Sequence, residues 1–361
     1  MCKTSATGLI LLLSLMAAQT ARADALDDAV NAELKRQAIP GLAIGIEQDG
    51  KITRLSGYGS ANLEWTVPVT PDTLFQTGST GKQFASLAVL MLQQEGKLSI
   101  DDPISKYFPD VPTNWADIRL RHLLSHTSGL DDDYAGVDLQ KTLPWDQVRQ
   151  LIYKMPKTRP AGAKWAYCNA AYMMLGMVIE QLTGAPYHQY FTSHIFKPLG
   201  MSATRDISEA DIIPGRASGY EREGSKLGAP IKHQAWVSTT FNHTADGSTY
   251  ISARDFTTYL AAMDATNPAF APLWAQAKAP VIRTDRDKSS FYGFGWFTAT
   301  VDGTLIEYHG GSWQGFRAMI VHYPKQKTGI AVLVNSDIPD SAALFDKVMA
   351  AAAPGLPLPP H

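Results

Sequence analysis

Between Gln83 and Glu95 apolar residues run around every side of a helical wheel: Phe84, Leu87, Ala88, Val89, Leu90, Met91 and Leu92, with a stop at Gly96. A helix without a polar face must be enclosed by protein, so this segment is expected to pass through the centre of the molecule. Other helical patterns are one-sided. Leu26, Val30 and Leu34 share a face within 24–37, and Trp145–Lys154, Ala170–Leu182, Ala253–Met263 and Ser341–Ala352 carry similar spacing. Strand signals gather near the two ends. Gly41–Glu47 and Ile52–Ser56 flank Asp49-Gly50, and Tyr292–Thr300 and Thr304–Tyr308 flank Asp302-Gly303, both hairpin signatures. Gly315–Tyr323 and Ile330–Asn335 form a further pair. The economical architecture is of α/β (α+β) type: one antiparallel sheet built from both termini and flanked by helices, with a mostly helical inserted lobe. The cleft between the lobes, at the buried helix, is where a site would sit. No internal repeat is visible, and the Pro-rich tail at 354–361 is expected to be a loose surface end.

Composition narrows the function classes. The chain has 361 residues, 45% of them hydrophobic, which is enough for a self-sufficient core and excludes a disordered chain. Thirty-four acidic residues against 32 basic ones leave a net charge of −2 with no Lys/Arg run. Nucleic-acid and anionic-membrane partners are thereby excluded, since both need a basic stripe. Residues 1–23 read as a signal peptide: Lys3, a short apolar core from Leu9 to Ala18, and the small-residue cleavage pattern Ala21-Arg22-Ala23. That core is too short to span a bilayer, so an exported chain, periplasmic or secreted, with no membrane span in its mature part is expected. Cys2 leaves with the leader. Cys168 then has no partner within the chain and reads as a small buried hydrophobe.

Three elements carry candidate chemistry. Ser79-Thr80-Gly81-Lys82 opens the buried helix and is the one Ser-x-x-Lys of the chain. At i and i+3 the hydroxyl and the ammonium share a face. A helix N-terminus favours a developing anion, and a lysine in a dry cleft loses basicity and can take the serine proton. The bland alternative for Ser79 is a helix cap. Tyr167-Cys168-Asn169, the one Tyr-x-Asn, precedes the helix from Ala170. Tyr167 can relay a proton if a cation lowers its pKa, and the Asn169 amide offers a donor and an acceptor; the alternative is a buried tyrosine and a helix cap. The third element is either His309-Gly310-Gly311 or Lys327-Thr328-Gly329. They lie at opposite ends of a strand of roughly 25 Å, so only one can border the cleft. Lys327 belongs to a polar turn, whereas the glycines after His309 admit a ligand to the backbone. His309-Gly310-Gly311 is therefore the expected site element.

In this order and spacing the three elements resemble the serine β-lactamase and penicillin-binding-protein-like superfamily, in its branch of class C β-lactamases, D-Ala-D-Ala carboxypeptidases and esterases. Residues 75–84 (FQTGSTGKQF), 96–104 (GKLSIDDPI), 121–130 (RHLLSHTSGL), 292–296 (YGFGW) and 309–316 (HGGSWQGF) add to the likeness, which covers essentially the whole mature chain. The resemblance implies a β-lactamase/transpeptidase-like fold with a five-stranded sheet. It places one serine-hydrolase domain at 24–353, with a sheet lobe of about 24–78 plus 280–353 and a helical lobe of about 79–279. It also implies roles: Ser79 as the acylated nucleophile, Lys82 as its activator, Tyr167 as proton shuttle and deacylation base. Asn169 becomes a partner of substrate and Lys82, and the N–H groups of Ser79 and Ser312 an oxyanion hole beside His309, Gly310 and Gly311. The departure is His309, where β-lactamases of this branch carry the lysine of a Lys-Thr-Gly. A partly charged imidazole makes small esters or D-amino-acid peptides and amides the expected substrates ahead of β-lactams. A true class C-like β-lactamase is the first alternative, and a non-catalytic muropeptide-binding or scaffold protein is the alternative of another class. No cofactor and no metal are expected. His122 and His126, four residues apart, lack a nearby acid, Asp131-Asp132-Asp133 reads as a solvated loop, and no oligomeric state follows from the sequence.

Overall fold

The computed structural model describes residues 25–132, 137–206 and 211–360; the signal peptide expected at 1–23 lies outside them. Four long antiparallel strands form the centre: β1 (Gly41–Gln48), β2 (Lys51–Asn62), β5 (Phe316–Tyr323) and β6 (Thr328–Val334), joined on one side by β3 (Phe297–Val301) and β4 (Thr304–Trp313). The first and last strands are neighbours, with Leu42 opposite Val334 and Ile44 opposite Val332. Both ends of the chain therefore share one sheet, as the pattern predicts. The sheet has nine strands, however, not five, in the order Val67–Pro68, β2, β1, β6, β5, β4, β3, Phe291–Tyr292 and Ile282–Arg283. The excess comes from short edge pairings and from the break that Gly293 and Gly295 impose on the run from Tyr292 to Thr300. Gly295 has φ +78°, and a side chain at Gly293 would stand 2.3 Å from the Ala277 carbonyl.

Strand periodicity decides which core each residue joins. Leu42, Ile44 and Ile46 point to one face, where they meet Leu26, Val30 and Leu34 of α1 (25–37) together with Leu344, Phe345 and Val348 of the closing helix. Ala43 and Gly45 point to the other. There the small residues let the helix Ala253–Asp264 approach so closely that a Cβ on Gly45 would overlap the Thr257 hydroxyl at 1.8 Å. Behind that helix lies the larger core, centred on α2 (Lys82–Gln94), whose residues Phe84, Leu87, Leu90 and Leu92 are wholly buried. Each buried leucine contributes about 2 kcal/mol of transfer free energy, ample to hold a polar N-terminus at the lobe boundary. The predicted helices appear at Trp145–Tyr153, Asn169–Thr183, Ala253–Asp264 and Ser341–Ala352; Tyr187–Phe191 and Ala271–Lys278 were not foreseen. The tail is docked rather than loose. Leu356 and Leu358 pack on the second core, and the Tyr323 hydroxyl donates to the Pro357 carbonyl at 2.9 Å. Among the described residues no helix is long and apolar enough to cross a membrane.

Candidate active site

Ser79 lies in a single 3-10 turn, Gly78–Gly81, that runs directly into α2. Its hydroxyl caps nothing: neither the turn nor α2 has a side-chain cap. The turn is fixed from two sides. Thr77 donates its hydroxyl to the Gly247 carbonyl at 2.9 Å, and β4 lies against the turn at Gly311, where any Cβ would fall 2.0 Å from the Thr77 carbonyl oxygen. Only a glycine permits that approach. Gly310, by contrast, has open space: its nearest neighbour to such a Cβ is 3.8 Å away.

Lys82 is wholly buried, and its three ammonium protons have three acceptors: Ser79 Oγ at 3.1 Å, Asn169 Oδ1 at 2.8 Å and the Asp246 carbonyl at 2.8 Å. Burial pulls its pKa from 10.5 down to about 8, against the opposing pull of the Asp246 and Asp132 carboxylates. The Asp246 carboxylate is 3.9 Å away. Lys82 is thus a base poised near neutrality and already in contact with the hydroxyl it would deprotonate.

Asn169 does not cap its helix either. Asp132 does: it accepts from the backbone N–H of Asn169 at 2.9 Å and of Ala170 at 3.0 Å, and from the Asn169 side-chain amide at 2.8 Å. The amide is thereby locked with its oxygen towards Lys82. The expectation that Asp132 belongs to a solvated loop fails here, because the carboxylate is spent on the first turn of Asn169–Thr183; Asp131 pairs with Arg159, and Asp133 lies outside the described residues. Cys168 is buried as expected, and burial raises its thiol well above the ordinary value.

Tyr167 forms the opposite wall, with its ring centroid 5.0 Å from Lys82 Nζ. Its hydroxyl is buried; the Asp246 and Asp132 carboxylates oppose its ionised form, while the Ser79 side chain and the Arg286 guanidinium favour it. Desolvation outweighs that, so the phenol is raised instead of lowered as the sequence reading supposed. At neutral pH it is therefore a neutral phenol rather than a resident phenolate. His126 supports it from behind, its ring 4.2 Å from the Tyr167 ring and its Nδ1 accepting the Cys168 N–H. His122 instead caps the helix Leu120–Leu124 by accepting the Arg119 N–H on Nδ1. The two histidines therefore do separate packing jobs.

His309 lies on β4, opposite Ile320, and reaches the site, whereas Lys327 sits in the distant β5–β6 turn with its ammonium 3.8 Å from Asp49. The expectation of a partly charged imidazole is overturned. His309 is buried, its Nδ1–H donates to the Gly310 carbonyl at 2.6 Å, and Nε2 accepts from the Tyr292 hydroxyl at 3.1 Å. Desolvation brings its pKa to about 3, so it is a neutral strut.

Two cavities meet at Ser79, Tyr167 and Ser312. One, of about 420 Å³, is walled by Leu139, Met173, Phe241 and Trp313. The other, of about 510 Å³, carries Arg286 and Arg317 beside His309 and Met319. Arg286 lies 4.0 Å over the Phe297 ring, and Arg317 donates to the Trp313 and Phe316 carbonyls. The Trp313 indole N–H donates to Asn242 at 2.7 Å, which ties β4 to the loop carrying Asp246. Asp132, Asp246, Arg286 and Asn242 carry no motif signal in the sequence; only the tertiary fold brings them here.

A buried lysine bonded to a serine at a helix entrance, faced by a tyrosine and an asparagine between two lobes, sits here in a chain of the β-lactamase/transpeptidase-like fold. The chain is a member of the Beta-lactamase family, whose sequence profile matches residues 26–353. It is 30% identical to Protein flp of Staphylococcus aureus (strain MW2), over 86% of this chain and 62% of that protein, and 31% identical to the putative penicillin-binding protein PbpX of Bacillus subtilis, over 74% and 64%. It thus spans less than two thirds of the length of these relatives. Among solved structures it resembles an octameric penicillin-binding protein homologue from Pyrococcus abyssi, with a TM-score of 0.78, 26% identity and coverage of 89% of this chain and 75% of that one. The fold is shared with a D-amino acid amidase from Ochrobactrum anthropi, with a TM-score of 0.80, 22% identity and coverage of 92% and 99%.

Proposed function

We propose that the protein hydrolyses small esters or D-amino-acid amides and peptides through a covalent acyl-enzyme on Ser79. The observation that carries this reading is the buried Lys82 ammonium, 3.1 Å from Ser79 Oγ and depressed to about 8. Neutral Lys82 takes the Ser79 proton as the hydroxyl attacks the acyl carbon. The Tyr167 hydroxyl relays a proton to the departing amine or alcohol, and Asn169 holds Lys82 and the substrate amide in line. The backbone N–H groups of Ser79 and Ser312 bind the developing oxyanion, which is worth several kcal/mol. Ser312 N lies 2.7 Å from the point where a Gly78 Cβ would stand, so the two segments are closely apposed. The apolar cavity suits the acyl group. The Arg286 and Arg317 side suits a leaving group with a carboxylate, which favours a peptide ending in a D-amino acid over a neutral amide; a neutral His309 gives a β-lactam carboxylate no cation of its own. The signal-peptide pattern read at 1–23 is consistent with action outside the cytoplasm.

Intact-mass spectrometry with a slow ester, a fluorophosphonate and a penicillin tests the reading. One adduct on the Ser79 peptide is expected, absent in Ser79→Ala. An adduct that survives in Ser79→Ala, or none with any acylating probe, refutes it. Nitrocefin hydrolysis without ester or D-peptide turnover refutes the substrate assignment alone.

A further inference from the structure

Away from the cleft, His188, Asp206 and His243 converge from three separate segments: the short helix Tyr187–Phe191, the strand Arg205–Asp206, and the loop before Thr249. His188 Nδ1 lies 3.2 Å from His243 Nε2 and 3.6 Å from Asp206 Oδ2. The edge of a tetrahedron with metal–ligand bonds of about 2.0 Å is about 3.3 Å, so the His188–His243 separation is that of neighbouring ligands on one small cation. The imidazole planes cross at 86° with centroids 4.8 Å apart. Asp206 Oδ2 also holds His243 Nδ1 at 2.6 Å, the carboxylate–imidazole contact that orients a ligating histidine. The Tyr187 hydroxyl steadies the other carboxylate oxygen at 3.5 Å. The three side chains are 25%, 17% and 20% exposed, so they are held in place yet reachable.

The structure assigns to His188 and His243 a binding site for a borderline transition-metal ion of the zinc type, with the imidazoles supplying Nδ1 and Nε2, Asp206 orienting His243 from the far side of its ring and the remaining positions left to water. Imidazole ligands select zinc over magnesium or calcium. The other histidine–acid cluster among the described residues, Glu47, Asp264 and His322, differs in kind: it has a single histidine, and both of its nitrogens are bonded to carboxylates, Glu307 at 2.7 Å and Asp264 at 2.9 Å. The proposed ion would staple the segment at Tyr187 to the loop that carries Asp246, three residues beyond His243, whose carbonyl receives Lys82. Its role is to fix a wall of the active-site cavity rather than to enter the chemistry.

The test is calorimetric titration of the metal-stripped full chain with zinc chloride, followed by cobalt(II) chloride with visible spectroscopy. The expected result is one zinc per chain, a thermal midpoint raised by about 3 °C or more, and the intense visible bands of four-coordinate cobalt. His188→Ala and His243→Ala should each weaken zinc binding at least about 100-fold. Asp206→Asn, which keeps the shape of the side chain, should weaken it less. Failure of the wild-type chain to take up zinc overturns the assignment, as does undiminished uptake by the His188→Ala/His243→Ala double variant, or cobalt bound without four-coordinate bands. Ser79 labelling proceeds in either case, so this result is independent of the hydrolase reading.

Discussion

If neutral Lys82 is the group that accepts the Ser79 proton, acylation must follow its titration. With a pKa of about 8, roughly one molecule in 100 has the free amine at pH 6, one in ten at pH 7 and half at pH 8. The acylation rate should therefore climb about tenfold per pH unit from 6 to near 8 and level off above 9. His309 and Tyr167 do not titrate in that window: burial holds His309 near 3 and raises the Tyr167 phenol far above it. The sign is opposite to that expected of a site served by an imidazolium, which would lose activity as pH rises through 6.5. A neutral p-nitrophenyl ester read by stopped flow in the burst phase isolates acylation and leaves Arg286 and Arg317 without a charge to bind. A rate flat between pH 6 and 9 would refute Lys82 as the base. So would an inflection near 6.5 that disappears in His309→Gln.

Two structural predictions follow from the walls of the site. Gly311→Ala drives a Cβ to within 2.0 Å of the Thr77 carbonyl, where ordinary contact begins at 3.4 Å, so β4 and the nucleophile turn must part by more than 1 Å. Acylation should fall about 100-fold and stability by about 1–3 kcal/mol, while Gly310→Ala, with nothing nearer than 3.8 Å, keeps acylation within a few-fold; equal losses would show that β4 does not position the turn. Asp132→Ala removes the acceptor of three N–H groups and should cost about 1 kcal/mol as a lost cap and about 100-fold in kcat/KM through a freed Asn169. Denaturant melts and steady-state kinetics measure both, and an unchanged kcat/KM would reduce Asp132 to a cap.

The parts of this molecule that were legible in the sequence are those governed by local rules. Period-two alternation and Asp-Gly turns located β1, β2, β3 and β4, and the all-round apolar run from Phe84 to Leu92 identified the central helix. Ser79, Lys82, Tyr167 and Asn169 could be chosen because each pair is local in the chain, and the structure brings all four together. His309 was located correctly but given the wrong charge, since its protonation depends on burial and on Tyr292, seventeen residues away. The Tyr167 phenol was misjudged for the same reason: Ser79 and Arg286, which favour its ionised form, count for less than the solvent it loses. Asp132 was read as solvated because nothing in its own neighbourhood announces that it caps a helix 37 residues downstream. The short edge strands had too few residues to leave a period.

The adjacency of β1 and β6 bears on the order in which a working molecule can be assembled. The strand that completes the sheet beside β1, and the β4 segment that closes on Ser79, emerge more than 200 residues after the nucleophile itself. Pairings this far apart in the chain form late, after the helical lobe has collapsed around its own local contacts. A nascent or partly threaded chain therefore holds its serine and lysine without the wall that aligns them, and stays inert towards acyl donors until its final strands arrive.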